Sequence, residues 1–190
     1  NPFQENTYIL FDETKECVII DPGCYTAEEK KELLDFISTN NLNPVKLLNT
    51  HCHIDHVLGN KCIAEKFNLD LEIHKNDLSV LNSLQNVAQT YGIPNVDDSP
   101  QPKSFIDEGD TIGFGASELE VLFVPGHAPG HVAFVNHKQK FVINGDVLFH
   151  GSIGRTDLPG GDHETLLTSI REKLFTLPED YQVYCGHGPE

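Results

Sequence analysis

Short apolar runs, some continuous and some alternating, are cut by Gly, Pro and Asn and interleaved with stretches of helical periodicity. The first runs are strand-like: Asn6 to Phe11, then Cys17 to Asp21, whose Val18-Ile19-Ile20 ends at the turn Asp21-Pro22-Gly23. This order predicts an antiparallel pair. Thr26 with Glu29 three residues on is a capping-box signature, and Leu33, Leu34 and Ile37 supply one apolar face until Asn40-Asn41 stops the helix. A strand is expected at Lys46 to Thr50. Val57 to Phe67 then reads as a helix through Ile63, Ala64 and Phe67, Leu71 to His74 as a short strand, and Asp77 to Tyr91 as a second amphipathic helix.

From Gly92 to Lys103, prolines and polar residues predict a long exposed loop, a candidate mobile lid. After it come three β runs, Glu118 to Pro125, His131 to Asn136 and Lys140 to Asn144, each ending close to a His or Asp. A helix from Glu164 to Leu177, capped by Asp162, and a last strand, Gln182 to Cys185, complete the order ββαβα then βββαβ. No linker interrupts this order, so residues 1–190 read as a single α/β domain with one well-buried core.

Charge and cysteine usage narrow the function classes. With 13 Lys+Arg against 29 Asp+Glu the net charge is −16, which disfavours nucleic acid as a partner. Five Cys with no C-x-x-C pair argue against a disulfide framework or zinc ribbon and point to the cytoplasm. No stretch is long and apolar enough for a membrane span, and no signal pattern is present. A chain without Met that begins Asn1-Pro2-Phe3 reads as missing its true start, and its end at Glu190 as equally artificial.

The chemistry is concentrated in His51-Cys52-His53-Ile54-Asp55-His56, four metal-ligand side chains in six positions, directly after a strand. In an extended segment His51 and His53 share one side, while Asp55 and His56 lie where the chain enters a helix, so one turn faces two metals. His127 in Pro125-Gly126-His127, Asp146 after Gly145 and His187 in Gly186-His187-Gly188 also follow strand ends, the usual seat of function. Imidazoles and carboxylates without a thiolate suit an open centre of zinc, iron or another divalent ion better than a closed structural zinc site. The expected assignment gives His51, His53 and His127 to a first metal, Asp55, His56 and His187 to a second, and Asp146 to both.

Taken in order, these seven residues resemble the pattern of the metallo-β-lactamase-fold hydrolases over essentially the whole chain. Asn1-Pro2-Phe3-x-x-Asn6-x-Tyr8, Asp21-Pro22-Gly23, Gly151-Ser152-Ile153-Gly154-Arg155-Thr156-Asp157 and the closing Gly186-His187-Gly188-Pro189 are similar to the single-domain glyoxalase II-like hydrolases. The resemblance implies a four-layer αββα sandwich. It also implies two divalent ions, zinc with iron or manganese as alternatives, and a small-molecule acyl thioester substrate of the acylglutathione type. A metal-bound water has a pKa of about 7 rather than about 15.7, so no side-chain nucleophile is needed, and Asp55 is the residue expected to orient that water. The full-length glyoxalase II enzymes add a C-terminal region with basic and aromatic glutathione contacts that this chain stops before. The persulfide dioxygenases of the same fold use one iron on two His and one Asp, which here would be His51, His127 and Asp146. Lactone or ester hydrolysis is a further alternative on the same site.

Around this set, Asp21 is expected to brace the metal loop as an acceptor and His131 to sit behind the ligands. Arg155 is a candidate for binding a substrate carboxylate, with a contact to Asp157 as the alternative, and His150 lies in the same loop. Alternation points Cys52 away from the metals, and His74, His137 and His163 have no constellation around them. No Gly-x-Ser-x-Gly elbow supports serine chemistry.

Overall fold

Alternation in one strand sets the layers. In Glu16–Ile20, Cys17 and Ile19 point to one face and Val18 and Ile20 to the other, and all four are fully buried. A strand buried on both faces reads as a continuous apolar run, and it requires a layer on each side. The computed structural model describes residues 1–188, with Pro189 and Glu190 outside the described residues.

In chain order the elements are β1 (Tyr8–Phe11), β2 (Glu16–Ile20), α1 (Ala27–Thr39), β3 (Asn43–Leu48), α2 (Ile54–Val57), α3 (Asn60–Phe67), β4 (Leu71–His74), α4 (Leu78–Asn82), α5 (Leu84–Tyr91), β5 (Ser104–Ile106), β6 (Thr111–Phe114), β7 (Ser117–Phe123), β8 (Val132–Asn136), β9 (Phe141–Gly145), β10 (Leu148–Phe149), β11 (Ser152–Ile153), α6 (His163–Glu172) and β12 (Gln182–Cys185). One sheet runs β1-β2-β3-β4-β5, antiparallel at β1/β2 and parallel beyond. The other runs β12-β9-β8-β7-β6, parallel at β12/β9 and antiparallel elsewhere.

Three apolar clusters fill the gaps between four layers. Ile19, Leu47, Ile63 and Ile73 pack the first sheet against the helices from α1 to α5. Val18, Ile20 and Leu48 face Val121, Phe134 and Ile143 across the gap between the sheets. Ala133, Val135 and Val142 pack the second sheet on Leu166 and Ile170 of α6. The αββα sandwich is therefore observed as expected. Fully buried Phe134 stands in its middle, where truncation to Ala would cost about 3–5 kcal/mol.

Helix starts follow the sequence signals and helix interiors follow tertiary contacts. Thr26 and Glu29 form the capping box of α1, and the Asp162 carboxylate accepts from Thr165 N at 2.8 Å at the start of α6. The helix expected over Asp77 to Tyr91 is broken at Ser83, whose hydroxyl donates to Val80 O at 2.7 Å and competes with the helical ladder. The helix expected over Val57 to Phe67 breaks at Gly59, where a Cβ would lie 2.4 Å from Cys24 Sγ. Four very short strands, β5, β6, β10 and β11, went unrecognised because two to four residues carry too little periodicity.

The Gly92 to Lys103 segment is not a lid. Asp97 pairs with Lys30 and Lys61, Asn60 donates to Ser99 Oγ, and Gln85 donates to Val96 O, so the loop is fastened along α1, α3 and α5. None of its residues lines the large cleft.

Candidate metal centre

All the expected ligands sit at one edge of the sandwich, beyond strand ends. His51 and His53 occupy the extended segment after β3, and Asp55 and His56 form the first turn of α2. His127 follows β7, Asp146 follows β9, and His187 follows β12. Gly145 turns the chain into Asp146 with φ +51, a left-handed conformation that favours glycine, and a Cβ there would meet Thr50 Oγ1 at 2.5 Å.

The structure brings six of the seven side chains into two triplets, with Asp146 between them. His51, His53 and His127 place ligand atoms within 4.8 Å of one another, as do Asp55, His56 and His187. Between them stands Asp146: Oδ2 is 3.5 Å from His127 Nε2 and 3.3 Å from His187 Nε2, while Oδ1 is 3.6 Å from His56 Nε2.

Backbone and side-chain acceptors set the orientation of each ring. His51 Nδ1 donates to Thr50 Oγ1 at 3.1 Å, His56 Nδ1 to Asp21 Oδ2 at 3.0 Å, His127 Nδ1 to Arg155 O at 2.8 Å, and His187 Nδ1 to Phe3 O at 3.1 Å. With each Nδ1 proton committed outward, each Nε2 faces inward, where an ion would take the place of any proton it carries. His51 Nε2, His56 Nε2 and Asp146 Oδ1 are buried with no hydrogen-bond partner. Orphaned atoms of this kind, converging in one place and drawn from imidazole and carboxylate alone, fit a divalent metal. Asp21 also lies near His51 and His56, and its oxygens accept from Thr50 N at 2.7 Å, Thr50 Oγ1 at 2.5 Å and Asn49 Nδ2 at 3.2 Å.

Electrostatics divide the two triplets. Burial holds His51 well below the usual imidazole range, takes His53 down to about 3, and lowers His127. These rings are neutral at neutral pH. Hydrogen bonds to Asp146 and Asp55 lift His187 to about 10. Burial pulls His56 down, but the carboxylates of Asp55, Asp146 and Asp21 outweigh it and hold the ring well above its ordinary value.

The remaining residues fall into place individually. His131 stacks on His51 with ring centroids 4.6 Å apart, and its Nε2 accepts from Asp146 N at 3.1 Å. Cys52 is 2 % exposed and belongs to the core cluster under the helices. Arg155 lines the cleft, but Nε and Nη2 bond both oxygens of Asp157 at 2.7 and 2.6 Å. Its guanidinium is therefore already paired, and its carbonyl is what touches the site. His150 also lines the cleft. His74 stacks on Phe123, and His137 bonds Tyr181 and Glu120.

Other supporting residues were not recognised in the sequence as such. Asp77 looked like the start of a helix, yet its carboxylate caps nothing: it accepts from Cys52 N and Gly130 N, both at 2.6 Å, and ties the His51–His56 loop to the His127 loop. The N-terminal residues also support the site. Asn1 Nδ2 donates to Asp55 O at 2.9 Å, Asn6 Nδ2 to Cys185 O at 3.0 Å, and Tyr8 Oη to Cys185 O at 2.6 Å. They hold Asp55 and the strand end that carries His187.

A cleft of about 1230 Å³ opens over both triplets, lined by His53, Asp55, His127, Asp146 and His187 and by a wall of apolar side chains.

The profile of the Metallo-beta-lactamase superfamily matches residues 1–187. The chain belongs to that superfamily. It is 40% identical over 187 residues to a protein named hydroxyacylglutathione hydrolase GloC of Haemophilus influenzae, covering 98% of this chain and 86% of that one. It is 35% identical over 182 residues to the human protein named persulfide dioxygenase ETHE1, covering 95% of this chain but only 63% of that one. Among solved structures, TTHA1623 in a di-iron-bound form superposes with a TM-score of 0.88 at 38% identity, covering 100% of this chain and 90% of that one. The BLEG-1 B3 metallo-beta-lactamase superposes with a TM-score of 0.89 at 34% identity, covering 100% and 89%. Superfamily members with hydrolase, oxygenase and lactamase names thus share this fold. No helix among the described residues is long and apolar enough to cross a membrane.

Proposed function

We propose that the chain is a binuclear metal-dependent hydrolase of acyl thioesters of the acylglutathione type, S-D-lactoylglutathione included. The observation that carries this reading is the pair of triplets sharing Asp146. Three neutral imidazoles, His51, His53 and His127, would hold one ion, and Asp55, His56 and His187 the other, with Asp146 between them. When bound, two such ions, zinc, iron or manganese, supply a nucleophilic water at neutral pH and polarise the carbonyl. The chain's own groups do the rest. Asp55, whose Oδ2 lies 3.1 Å from His187 Nε2 in the cleft, would orient that water. The apolar wall excludes bulk water and strengthens every charge interaction at the carbonyl. Five Cys with no C-x-x-C pair suit a reducing cytoplasm.

One specific observation supports a second reading. His51, His127 and Asp146 form a two-His, one-Asp set for a single iron, as in a persulfide dioxygenase, and a relative of that name is 35% identical. Such a centre has no use for the second triplet, whose geometry is as convergent as the first. Lactones and simple esters fit the same chemistry as thioesters. Incubation of the metal-loaded protein with S-D-lactoylglutathione should release free thiol while dissolved oxygen stays constant. Oxygen consumption with glutathione persulfide, and no thiol release from any acylglutathione, would replace the hydrolase reading by the dioxygenase one.

A further inference from the structure

The apolar wall of the cleft has a direction. Leu84, Val87 and Tyr91 are spaced three and four residues apart along α5 and so form one stripe, Val80 of α4 precedes the break at Ser83, and all four line the cleft. Val80 and Val87 are half-buried and Tyr91 is 49 % exposed, with its ring edge-on to Phe3 at 5.8 Å. Phe149 and Leu158, from the chain after Asp146, line the same space. From Leu84 to Tyr91 the stripe runs roughly 10 Å at about 1.5 Å per helical residue.

Charge is missing from this wall. Arg155 is the one Lys or Arg among the described lining residues, and both Asp157 oxygens already hold it. A carrier with several carboxylates or phosphates finds no unpaired cation there, and the chain as a whole carries −16. Biological thiol carriers are polar and charged, so the arm of a thioester that suits an apolar stripe is the acyl arm.

We propose that the α4–α5 stripe is an acyl-chain subsite, and that the preferred substrates are thioesters of straight, medium-chain fatty acids rather than short hydroxyacyl ones. This rests on the thioester-hydrolase reading above. The reaction is ordinary hydrolysis: water supplies the oxygen of the new C–O bond, the C–S bond breaks, and the thiolate takes up a proton. The acyl chain lies along Val80, Leu84, Val87 and Tyr91, away from the metal ligands, and its length is read as binding energy.

The test has two arms, both on the full chain. In the first, acetyl, butanoyl, hexanoyl and octanoyl thioesters of N-acetylcysteamine are hydrolysed by metal-loaded protein. kcat/KM should rise about fourfold for each methylene fully buried, and Val87→Asp should flatten that rise. In the second, S-octyl-N-acetylcysteamine, a thioether that cannot be hydrolysed, should bind at least tenfold more tightly than its S-ethyl counterpart by calorimetry. Tyr91→Ser, at a position 49 % exposed, should weaken that binding. Short thioesters hydrolysed at rates independent of chain length, with equal binding of the two thioethers, would overturn the subsite and leave the thioesterase reading standing. If no thioester were hydrolysed, the thioesterase reading would fall, and the thioether affinities alone would decide whether the stripe takes an alkyl chain.

Discussion

His53 Nδ1 and His127 Nε2 stand 2.9 Å apart, although 74 residues separate them in the chain. The His127 Nδ1 proton is committed to Arg155 O, so its Nε2 carries a lone pair, and His53 supplies the donor between them. An ion entering the first triplet would replace that shared proton with a metal. His53→Ala should therefore reduce metal content from two ions to one and hydrolysis by at least about a hundredfold, since even ligand-supporting residues cost about 10–100-fold. Unchanged content in elemental analysis would remove His53 from the ligand set.

Asp21 acts through His56. Its carboxylate receives the His56 Nδ1 proton and also holds Thr50, so it sets the ring's tautomer and angle together. Asp21→Asn should weaken binding of the second ion about 10–100-fold while the first is retained, as read by competition with a chelator. Equal loss of both ions would mean that the residue holds the loop as a whole rather than the ring.

Gly186 leaves space that Asp146 needs. A Cβ on residue 186 would lie 2.1 Å from Asp146 Oδ1 and 2.9 Å from His56 Cε1. Gly186→Ala should displace the shared carboxylate and lower the affinity for both ions with little change in thermal stability of the metal-free protein. Wild-type affinities in that variant would show that Asp146 does not need its present position.

Asp77 links folding stability to pH. Burial raises its carboxyl to about 6 against an ordinary 3.8, although the N–H groups of Cys52 and Gly130 favour the charged form. A raised folded-state value means that the contribution is complete below about pH 4 and is lost as pH rises through about 6, with a total on the order of 3 kcal/mol. Metal-free wild type should lose stability across that window relative to Asp77→Asn, which has no proton to release. Urea midpoints at pH 4.5 and 7 check this, and parallel changes in the two proteins would show that Asp77 is not the group responsible.

The candidate ligands are more legible in the sequence than their supports. His51, His53, Asp55 and His56 are legible because adjacent positions with fixed backbone geometry must meet, and Val18-Ile19-Ile20 is legible because a strand buried on both faces leaves a continuous apolar run. Asp77 was not legible as a tie between loops, because an Asp before an amphipathic stretch has the same appearance as a helix cap. The partners of Asn6 and Tyr8 lie at the far end of the chain, on Cys185, and no local pattern encodes such a separation. The Gly92 to Lys103 segment looked mobile because composition marks a loop without marking what fastens it. Its restraint comes from Lys30, Lys61, Asn60 and Gln85 on other elements.

Everything proposed for the site depends on two triplets acting on two ions through Asp146. Elemental analysis of protein purified from its native host, combined with the same measurement on Asp146→Ala, tests this directly. Two metal equivalents per chain, with both weakened in the variant, is the expected outcome. A single equivalent in fully loaded wild type, insensitive to replacement of Asp55 or His187, would contradict the binuclear centre and leave one ion on His51, His127 and Asp146.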